Sequence, residues 1–581
     1  GSTDLPILAL LPASVGLTIA ALALLVVPRL LRRLAAASGR ATLPIRLALL
    51  SVARDPARPA ATLTLLAFGL GGLVFAVTEA ATLNRGIADS AAFQAGMDLR
   101  VSEAGTDLTL SATVVPFDRY RGLGAAVEAW PVAHLEAVAA GDRPLSVLAL
   151  PPEAIPKLRG WRSDASSTDP AVLAAAIDVP GTFDVPGHQL PAGKRELSIA
   201  VRHRGDPVDL AAVVRTAAGD AVRVRLGTAK FERTVFDVPL PAAAVGGRVV
   251  AILVAEGRLI AGQDHPAALG SASLAFEDLG GLVDQVPIEV RVSGVDETVI
   301  RAPLTTDGLI LPAIVSPDLS GLAAGSPDGT LPLTFAGRSL TRIRVAGVAS
   351  WFPTVVYAER SFAVVDLDPF LVALDGAAPG AGHPDEAWLR IEDGAAAAST
   401  VAALHEPPFR DVAVLDRRAI AAQSTGDPFS ISILAAFTAA ALAGLLLAAL
   451  GLVLGAISDL RDETGELRDL EAQGLGPTAL RRHVAARTAL LAFGGLAAGL
   501  IVGVLLAAIV TGRIAVTADA AAPIPPLVLV VPWTQVALAV GIPLLLAGGL
   551  AWLAARRAFR GSTRSGGRRA APAPAPAPGP R

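Results

Sequence analysis

Apolar residues dominate five long stretches of the chain, and charged residues border these stretches. A membrane-spanning helix needs about 20 apolar residues to cross roughly 30 Å of hydrocarbon. All five stretches reach that length without an Asp, Glu, Lys, Arg or His, and they predict spans at residues 5–28, 59–78, 428–458, 488–512 and 527–553. The first stretch could also be a signal peptide, but no basic residue precedes it, so a true span is favoured.

The arginines give these spans an orientation. Seven Arg and one acidic residue lie between the first two spans, seven Arg and no acid follow the last span, and residues 459–487 contain five Arg. Because cytoplasmic loops are enriched in basic residues, these three segments are expected in the cytoplasm. The N-terminus and residues 79–427 are then predicted to lie outside the membrane.

The expected fold class is a polytopic α-helical membrane protein with a large, mainly β (α+β) extracytoplasmic domain. The predicted segments are a first span with an amphipathic cytoplasmic lead-in (1–58), a second span (59–82), the extracytoplasmic domain (83–427), a long span or stalk helix (428–458), a cytoplasmic loop (459–487), two further spans (488–512 and 527–553) and a basic, disordered tail (556–581). As one helix, residues 428–458 would reach roughly 46 Å, so they either tilt in the bilayer or protrude from it as a stalk.

Hydrophobic and polar residues alternate within the large predicted domain. Leu197, Ile199 and Val201 alternate with polar or small residues, and a second alternating run covers residues 222–226. Alternation of this kind predicts half-buried strands, and residues 181–260 are expected to form a β-sandwich of the jelly-roll type. Such a sandwich could bind sugars, which is an inference from fold analogy alone, or it could brace the domain as a spacer.

Further strands are predicted after the sandwich. Residues 286–370 form a second β-rich part, and residues 387–391 and 412–415 suggest a small α/β portion that leads back to the membrane.

Composition excludes several kinds of site. The chain is 52% hydrophobic with a mean hydropathy of +0.55, and its net charge of −3 gives no indication of nucleic-acid binding. Of the three lysines, only Lys194 follows a Gly, and Arg195 comes next, so a Walker A phosphate-binding loop is missing. Cysteine is absent, which excludes thiolate chemistry, and no metal-binding or catalytic spacing is present. We therefore expect no catalytic residue, cofactor or metal in this chain.

Several segments resemble the FtsX-like (MacB-type) ABC transporter permeases. The resemblance is carried by the layout of one span, a large domain and three further spans, and by four sequence segments: 47–49 with 54–58, 311–316, 352–354 after Gly347, and the Arg/Glu-rich loop 461–476. Gln473-Gly474 interrupts the Leu-Arg-Ala-Leu-Gly run common in the family, and residues 181–260 are extra. Because the chain opens directly into a span, it is expected to be the C-terminal half of a longer permease.

The resemblance implies that the cytoplasmic loop contacts an ATPase. Three leucines among charges could form an apolar stripe on a short helix that enters a groove of the partner, with charged residues at the rim. The predicted coupling residues are Arg461, Glu463, Glu466, Leu467, Arg468, Leu470, Leu475 and Gly476. A solvated helix on the lipid headgroups would explain the same charges. Two glycines are expected to end this helix before Pro477 starts the next one.

The expected function is that of a permease subunit in a type VII-like ABC complex, and not of an enzyme. The implied partners are a dimeric cytoplasmic ABC ATPase holding ATP-Mg, a second permease half or subunit, membrane lipids and an envelope glycan or lipid ligand. The output would be lipid, lipoprotein or peptide export or remodelling of the cell envelope at the inner membrane. The alternatives are a membrane-anchored glycan-binding protein and a proton-coupled transporter, and the spans, which lack ionisable residues, disfavour the latter.

Overall fold

The chain folds into two compact units, one formed by residues 1–88 with 423–581 and the other by residues 89–422. The computed structural model describes residues 26–40, 43–54, 56–103, 115–139, 143–217, 219–257, 270–283, 286–292, 297–356, 361–410, 412–426, most of 431–454, 477–511, 524–542, 545 and 549.

The described helices are α1 (26–37), α2 (Leu43–Arg54), α3 (Ala57–Ala95), α4 (Asp118–Arg121), α5 (Pro170–Ile177), α6 (Pro317–Ala324), α7 (Leu367–Ala377), α8 (Gly394–Leu404), α9 (Arg417–Gly426), α10 (Thr438–Gly451), α11 (Pro477–Thr511) and α12 (Trp533–Ile542). Short 3-10 turns cover Ser38–Arg40, Pro152–Lys157 and Ala242–Ala244.

Within the described residues, two helices are long and apolar enough to cross a membrane, over Pro59–Ala95 and Ala485–Thr511. The first contains the predicted span 59–82 and continues to Ala95, whereas the second begins three residues before the predicted span 488–512 and covers it as far as Thr511. The predicted first span lies mostly outside the described residues. The third and fifth overlap the shorter apolar helices α10 and α12.

The amphipathic lead-in predicted before the second span is the helix α2. Its residues Ala48 and Val52 are buried, whereas Ile45 and Leu50 are exposed. Val52 joins a small apolar cluster with Leu31 of α1, Leu63 of α3 and Leu491 of α11. The lead-in is therefore packed on one side against the spanning helices.

The strands all belong to the second unit. They are β1 (Leu99–Glu103), β2 (Val127–Ala139), β3 (Arg143–Leu150), β4 (His188–Gln189), β5 (Glu196–Gly205), β6 (Val208–Arg215), β7 (Ala221–Ala229), β8 (Arg233–Pro239), β9 (Arg248–Glu256), β10 (Gly270–Glu277), β11 (Ile288–Val292), β12 (Thr298–Arg301), β13 (Ile310–Val315), β14 (Thr330–Phe335), β15 (Arg338–Val348), β16 (Trp351–Phe352), β17 (Val355–Val356), β18 (Ser361–Asp366), β19 (Glu386–Ile391) and β20 (Val412–Asp416).

Six strands of the second unit close into a ring in the order β14-β15-β13-β18-β3-β2. The closing pair is β14 with β2, in which Leu333 lies opposite Ala139 and Thr334 opposite Val138. Closure leaves these strands without free edges. The ring strands share one core with α6 and α7, including Leu319 and Phe370.

The long strand β2 also joins the ring to a flat layer. Its second half, from Ala133, pairs with β3, and its first half, up to Val132, pairs with β19. The layer then continues through β1 to β20. Helices α4 and α8 contribute Tyr120 and Leu404 to the core of this layer.

Two antiparallel sheets in the order β11-β10-β5-β8 and β12-β9-β6-β7 form a β-sandwich around a single apolar core. The predicted alternation is confirmed, because Leu197, Ile199 and Val201 all face that core. The predicted limits of 181–260 are too narrow. β10, β11 and β12 come later in the chain, and β11 had been placed in the second β-rich part. The prediction grouped strands that are close together in sequence, whereas β10 pairs with β5, which lies far earlier in the chain.

One face of the sandwich is docked on the rest of the unit. Val213 and Leu253 on the outer side of the β6 and β9 sheet pack with Val372 of α7 and Leu304. Beside this contact, Arg215 donates to the Asp375 carboxylate at 2.6 Å, and Asp375 also accepts from the backbone of the loop after α7. An apolar interface and a buried ion pair thus hold the sandwich in place.

A cluster of buried charges lies where β2 passes from the layer to the ring. Asp385 accepts a hydrogen bond from the backbone N–H of His134 at 2.8 Å. The neighbouring Glu386 is bound by Arg100 through two nitrogens and by the indole N–H of Trp388. Burial, followed by the nearby negative charge of Glu386, raises the pKa of Asp385 to about 7.

We expect Asp385→Asn to change the pH dependence of stability. A carboxyl whose pKa is raised on folding stabilises the fold fully below its unfolded pKa, and this contribution is lost as the pH rises through the folded pKa, here about 7. The unfolding temperature of the variant minus that of the parent should therefore be higher near pH 8 than near pH 5, by a few degrees. Thermal unfolding of the full chain in detergent measures this.

Glu392→Gln is the control, because that side chain is 81% exposed. An offset for Asp385→Asn that is the same at both pH values would contradict the assignment.

Candidate functional site

The eight predicted coupling residues lie outside the described residues: Arg461, Glu463, Glu466, Leu467, Arg468, Leu470, Leu475 and Gly476. The structure therefore neither brings them together nor separates them. It does show that α11 begins at Pro477, as the sequence predicted. The predicted coupling loop therefore directly precedes the first turn of α11 in the sequence.

The helix α3 packs closely against a glycine face of α11. Gly495, Gly499 and Gly503 recur every four residues, so they lie on one side of that helix. A Cβ atom added at Gly499 would lie 2.7 Å from the Cβ of Leu70, and one at Gly503 would lie 2.6 Å from the Cβ of Val74. In a membrane, small residues permit the close backbone approach on which helix association depends.

A second face of α3 receives glycines from α10. A Cβ atom added at Gly444 would lie 2.5 Å from the carbonyl oxygen of Gly69, and one at Gly451 would lie 2.8 Å from Leu65. Two neighbouring helices therefore approach α3 at near-backbone distance, and α3 is the central helix of the described membrane unit.

Polar contacts hold α3 beyond its apolar stretch. The Thr511 hydroxyl, at the end of α11, donates to the Glu79 carboxylate at 3.0 Å, and Glu79 is 4% exposed. One turn later the Thr82 hydroxyl accepts from the backbone N–H of Val530 at 3.1 Å. Sequence reasoning treated Glu79 as a flanking charge, although it lies within the 59–82 segment. The sequence signal that could have identified Glu79 is its position directly after the apolar run.

The last turns of α3 are anchored within the second unit. Asp89 forms an ion pair with Arg162 at 3.0 Å, and both side chains are at most 8% exposed. Phe93 packs edge-on against Trp351, and its carbonyl accepts from the N–H of Thr354 at 2.9 Å. A paired charge, an aromatic contact and a backbone hydrogen bond fix this end of the helix.

Gly96 ends α3 in a conformation that favours glycine. Its φ of +68° is left-handed, and a Cβ atom there would lie 2.7 Å from the indole ring of Trp388. Glycine adopts this conformation without the steric cost that a side chain brings. The turn directs the chain into Asp98 and then into β1.

Asp98 lies where the chain enters the second unit and also where it leaves. Its Oδ2 accepts from Arg159 at 3.0 Å and from the backbone N–H of Ile391 at 3.0 Å, and its Oδ1 accepts from Arg417 at 2.8 Å. Arg417 is the first residue of α9, which leads back toward the remaining helices. Burial alone would raise the pKa of Asp98, but Ile391, Arg417 and Arg159 together hold that pKa below its usual range.

The comparison with protein families bears on the helices around the predicted coupling loop. Residues 438–563 match the family model described as the FtsX-like permease C-terminal domain. This part of the chain is similar to the C-terminal domain of FtsX-like permeases. The matched region includes α10, the predicted coupling loop, α11 and α12. No curated protein matches the chain.

The match over residues 438–563 therefore confirms the predicted family. Members of that family are membrane proteins of ABC-type transport systems, lie in the inner membrane and work with an ABC ATPase. Sequence reasoning missed Glu79, Asp89, Asp98 and Arg162. Their partners lie far away in sequence, so no local spacing signals them.

We expect Gly499→Ala to destabilise the permease. The added methyl group would enter the contact between α11 and α3, and overpacking of this kind typically costs about 1–3 kcal/mol. Thermal unfolding of the full chain in detergent should show a lower midpoint.

Gly72→Ala is the matched control, since an added Cβ there meets no described atom within 4 Å. That change should be neutral or stabilising by up to about 1 kcal/mol, because alanine favours helix formation. Equal effects at the two positions would argue against a close contact at Gly499.

Proposed function

We propose that this chain is the permease subunit of a MacB-type, type VII-like ABC complex that transmits cytoplasmic ATP hydrolysis into movement of its large unit. The observation that supports the proposal is the extent of the helix α3. This single helix, Ala57–Ala95, contains a membrane-spanning stretch and ends in the Asp89–Arg162 ion pair of the large unit.

The proposed movement passes from the predicted coupling loop to the large unit through α11 and α3. An ATPase dimer holding ATP-Mg would displace the loop containing Glu466 and Leu470, which directly precedes α11. The glycine face of α11 contacts α3 at Leu70 and Val74. Because helices are stiff along their axes, a shift of α3 would reach its anchored end and thereby the large unit.

We further propose a five-span topology with the large unit outside the inner membrane. The arginine distribution supports this orientation. A second permease half or subunit and surrounding lipids would complete the membrane part. In this arrangement the described spans pass motion rather than a solute, and the output would be export of a lipid, lipoprotein or peptide, or remodelling of the cell envelope.

The sandwich is proposed to be of the jelly-roll type and to brace the large unit. Both of its sheets are antiparallel, and five of the seven connections from β5 to β12 pass from one sheet to the other, which supports that topology. The docked outer face of the β6 and β9 sheet supports the bracing role.

Glycan binding is the weaker alternative for the sandwich. Ligand sites are usually lined by hydrophobic and aromatic side chains. Residues 181–301 contain no Trp or Tyr and four phenylalanines. Phe236 and Phe276 are buried, Phe183 is partly buried against the docked face of the sandwich, and Phe231 is 64% exposed. One exposed aromatic ring is little for a sugar surface, so the permease role is preferred over that of a membrane-anchored glycan receptor.

Co-purification tests the proposal. The full chain is expected to bring an ABC ATPase with it from mild detergent, and a Glu466→Arg, Leu470→Arg variant should lose that subunit and the associated ATP hydrolysis. Mass spectrometry identifies the partner, and phosphate release measures the activity.

The matched control is Glu392→Arg with Val172→Arg, which makes the same kinds of substitution at exposed positions of the large unit. This control should retain the ATPase. If neither the parent chain nor the control brings down an ATPase, the permease role is refuted. If the loop variant retains its ATPase, the proposed coupling residues are wrong.

A further inference from the structure

We infer that Asp98 is a positioning residue that locks together the two chain crossings of the large unit, which are the places where the chain enters it after α3 and leaves it through α9. The end of α3 and the start of α9 then move as one body. The inference deepens the transmission role proposed above and rests on it for its functional meaning. The lock itself depends on the contacts of Asp98.

Topology brings the two crossings to the same place. β1 follows directly after α3, and β20 directly precedes α9. The two strands are antiparallel neighbours, with Leu99 opposite Asp416. The residue before β1 and the residue after β20 must therefore be adjacent, and these are Asp98 and Arg417.

Side-chain and backbone contacts both join these two residues. The Arg417 guanidinium donates to Oδ1 of Asp98 through two nitrogens, at 2.8 and 3.3 Å. The backbone N–H of Arg417 also donates to the backbone carbonyl of Asp98 at 3.1 Å. Together, the two attachments restrict both the rotation of the first turn of α9 about the end of β20 and its separation from Asp98.

The other carboxylate oxygen ties the pair to the body of the unit. Oδ2 accepts from the Arg159 guanidinium and from the N–H of Ile391 at the end of β19. The backbone N–H of Arg159 also donates to the carbonyl of Gly96, directly after α3, at 3.0 Å. Asp98 is 2% exposed. A buried carboxylate must keep its donors, because leaving it unpaired costs more than an exposed pair would gain. The lock is therefore expected to hold through any movement of the unit.

A second arginine strengthens the attachment of α9 without involving Asp98. Arg418 donates to the backbone carbonyl of Gly394 at 3.1 Å, at the start of α8. Its N–H is bound by Asp416 at 2.8 Å. These contacts hold α9 to the layer, whereas Asp98 connects α9 to the end of α3.

Distance measurement between the two crossings tests the lock. The chain contains no cysteine, so spin labels can be placed at Gln94→Cys on α3 and Ala422→Cys on α9, both exposed. Pulsed electron paramagnetic resonance on the purified full chain, without an ATPase, should give one narrow distance distribution in the parent.

Asp98→Asn and Arg417→Gln are each expected to broaden this distribution or to add a second distance. The population outside the parent distance should rise about tenfold, as it does when about 1.4 kcal/mol of preference is removed. The two changes combined should have no more effect than one alone, since both remove the same interaction. If Asp98→Asn fails to fold, Arg417→Gln gives the same result with the buried carboxylate still paired to Arg159.

Asp375→Asn is the matched control. It removes the charge of a comparably buried carboxylate that is paired with Arg215, away from the crossings. It should lower the unfolding temperature without broadening the distribution. If the distribution stays narrow in the Asp98 and Arg417 variants, or broadens equally in Asp375→Asn, the lock is refuted.

The result is independent of the co-purification. If the Asp98 and Arg417 variants broaden the distribution but the parent chain binds no ATPase, the lock stands and the transmission role is refuted. If those variants keep a narrow distribution although the parent chain binds an ATPase, the lock is refuted and the transmission role stands.

Discussion

A carboxylate that loses its hydration must receive hydrogen bonds from the protein, and Asp98 imposes this requirement at the start of β1. Its donors come from the segment after β3, the end of β19 and the start of α9. To supply all three, the flat layer must place β1 between β19 and β20. The strand order of the layer, the left-handed turn at Gly96 and the close return of the chain are thus parts of one arrangement.

The membrane unit follows a different physical rule. Lipid tails are as apolar as leucine side chains, so helices gain little from hiding hydrophobic surface from one another and depend on close contact instead. Glycines of α10 and α11 supply that contact on two faces of α3. Polar groups at Glu79 and Thr82 then connect α3 to the end of α11 and to the segment before α12.

Much of the architecture could be predicted from local pattern. Alternation identified strands such as β5 and β7, uncharged stretches identified α3 and α11, and a Pro after two glycines identified the start of α11. The limits of the sandwich and the closure of the ring could not be predicted in this way. They depend on pairs such as Leu274 with His203 or Leu333 with Ala139, which face each other on paired strands that are far apart in sequence. Arg162 and Asp98 were missed for the same reason.

The predicted coupling residues stay a prediction, because residues 455–476 are not among those the structure describes. The evidence for their role is the family match over 438–563 and the start of α11 immediately afterwards. Composition narrowed the function by exclusion, most clearly through the missing Walker A lysine. It could not identify the buried carboxylates, since an acidic residue looks the same in sequence whether it is solvated or paired.

The donors of Asp98 also bear on how the chain is made. Ile391 and Arg417 follow Asp98 by 293 and 319 residues. At a synthesis rate of about 5–20 residues per second, Arg417 is made on the order of tens of seconds after Asp98. During that interval β1 has neither of its neighbouring strands, and the carboxylate next to a newly inserted helix keeps its water. The sandwich, whose strands lie closer together in sequence, can form first. The nascent chain thus waits with an open sheet edge, and that edge is where a folding chaperone would be needed.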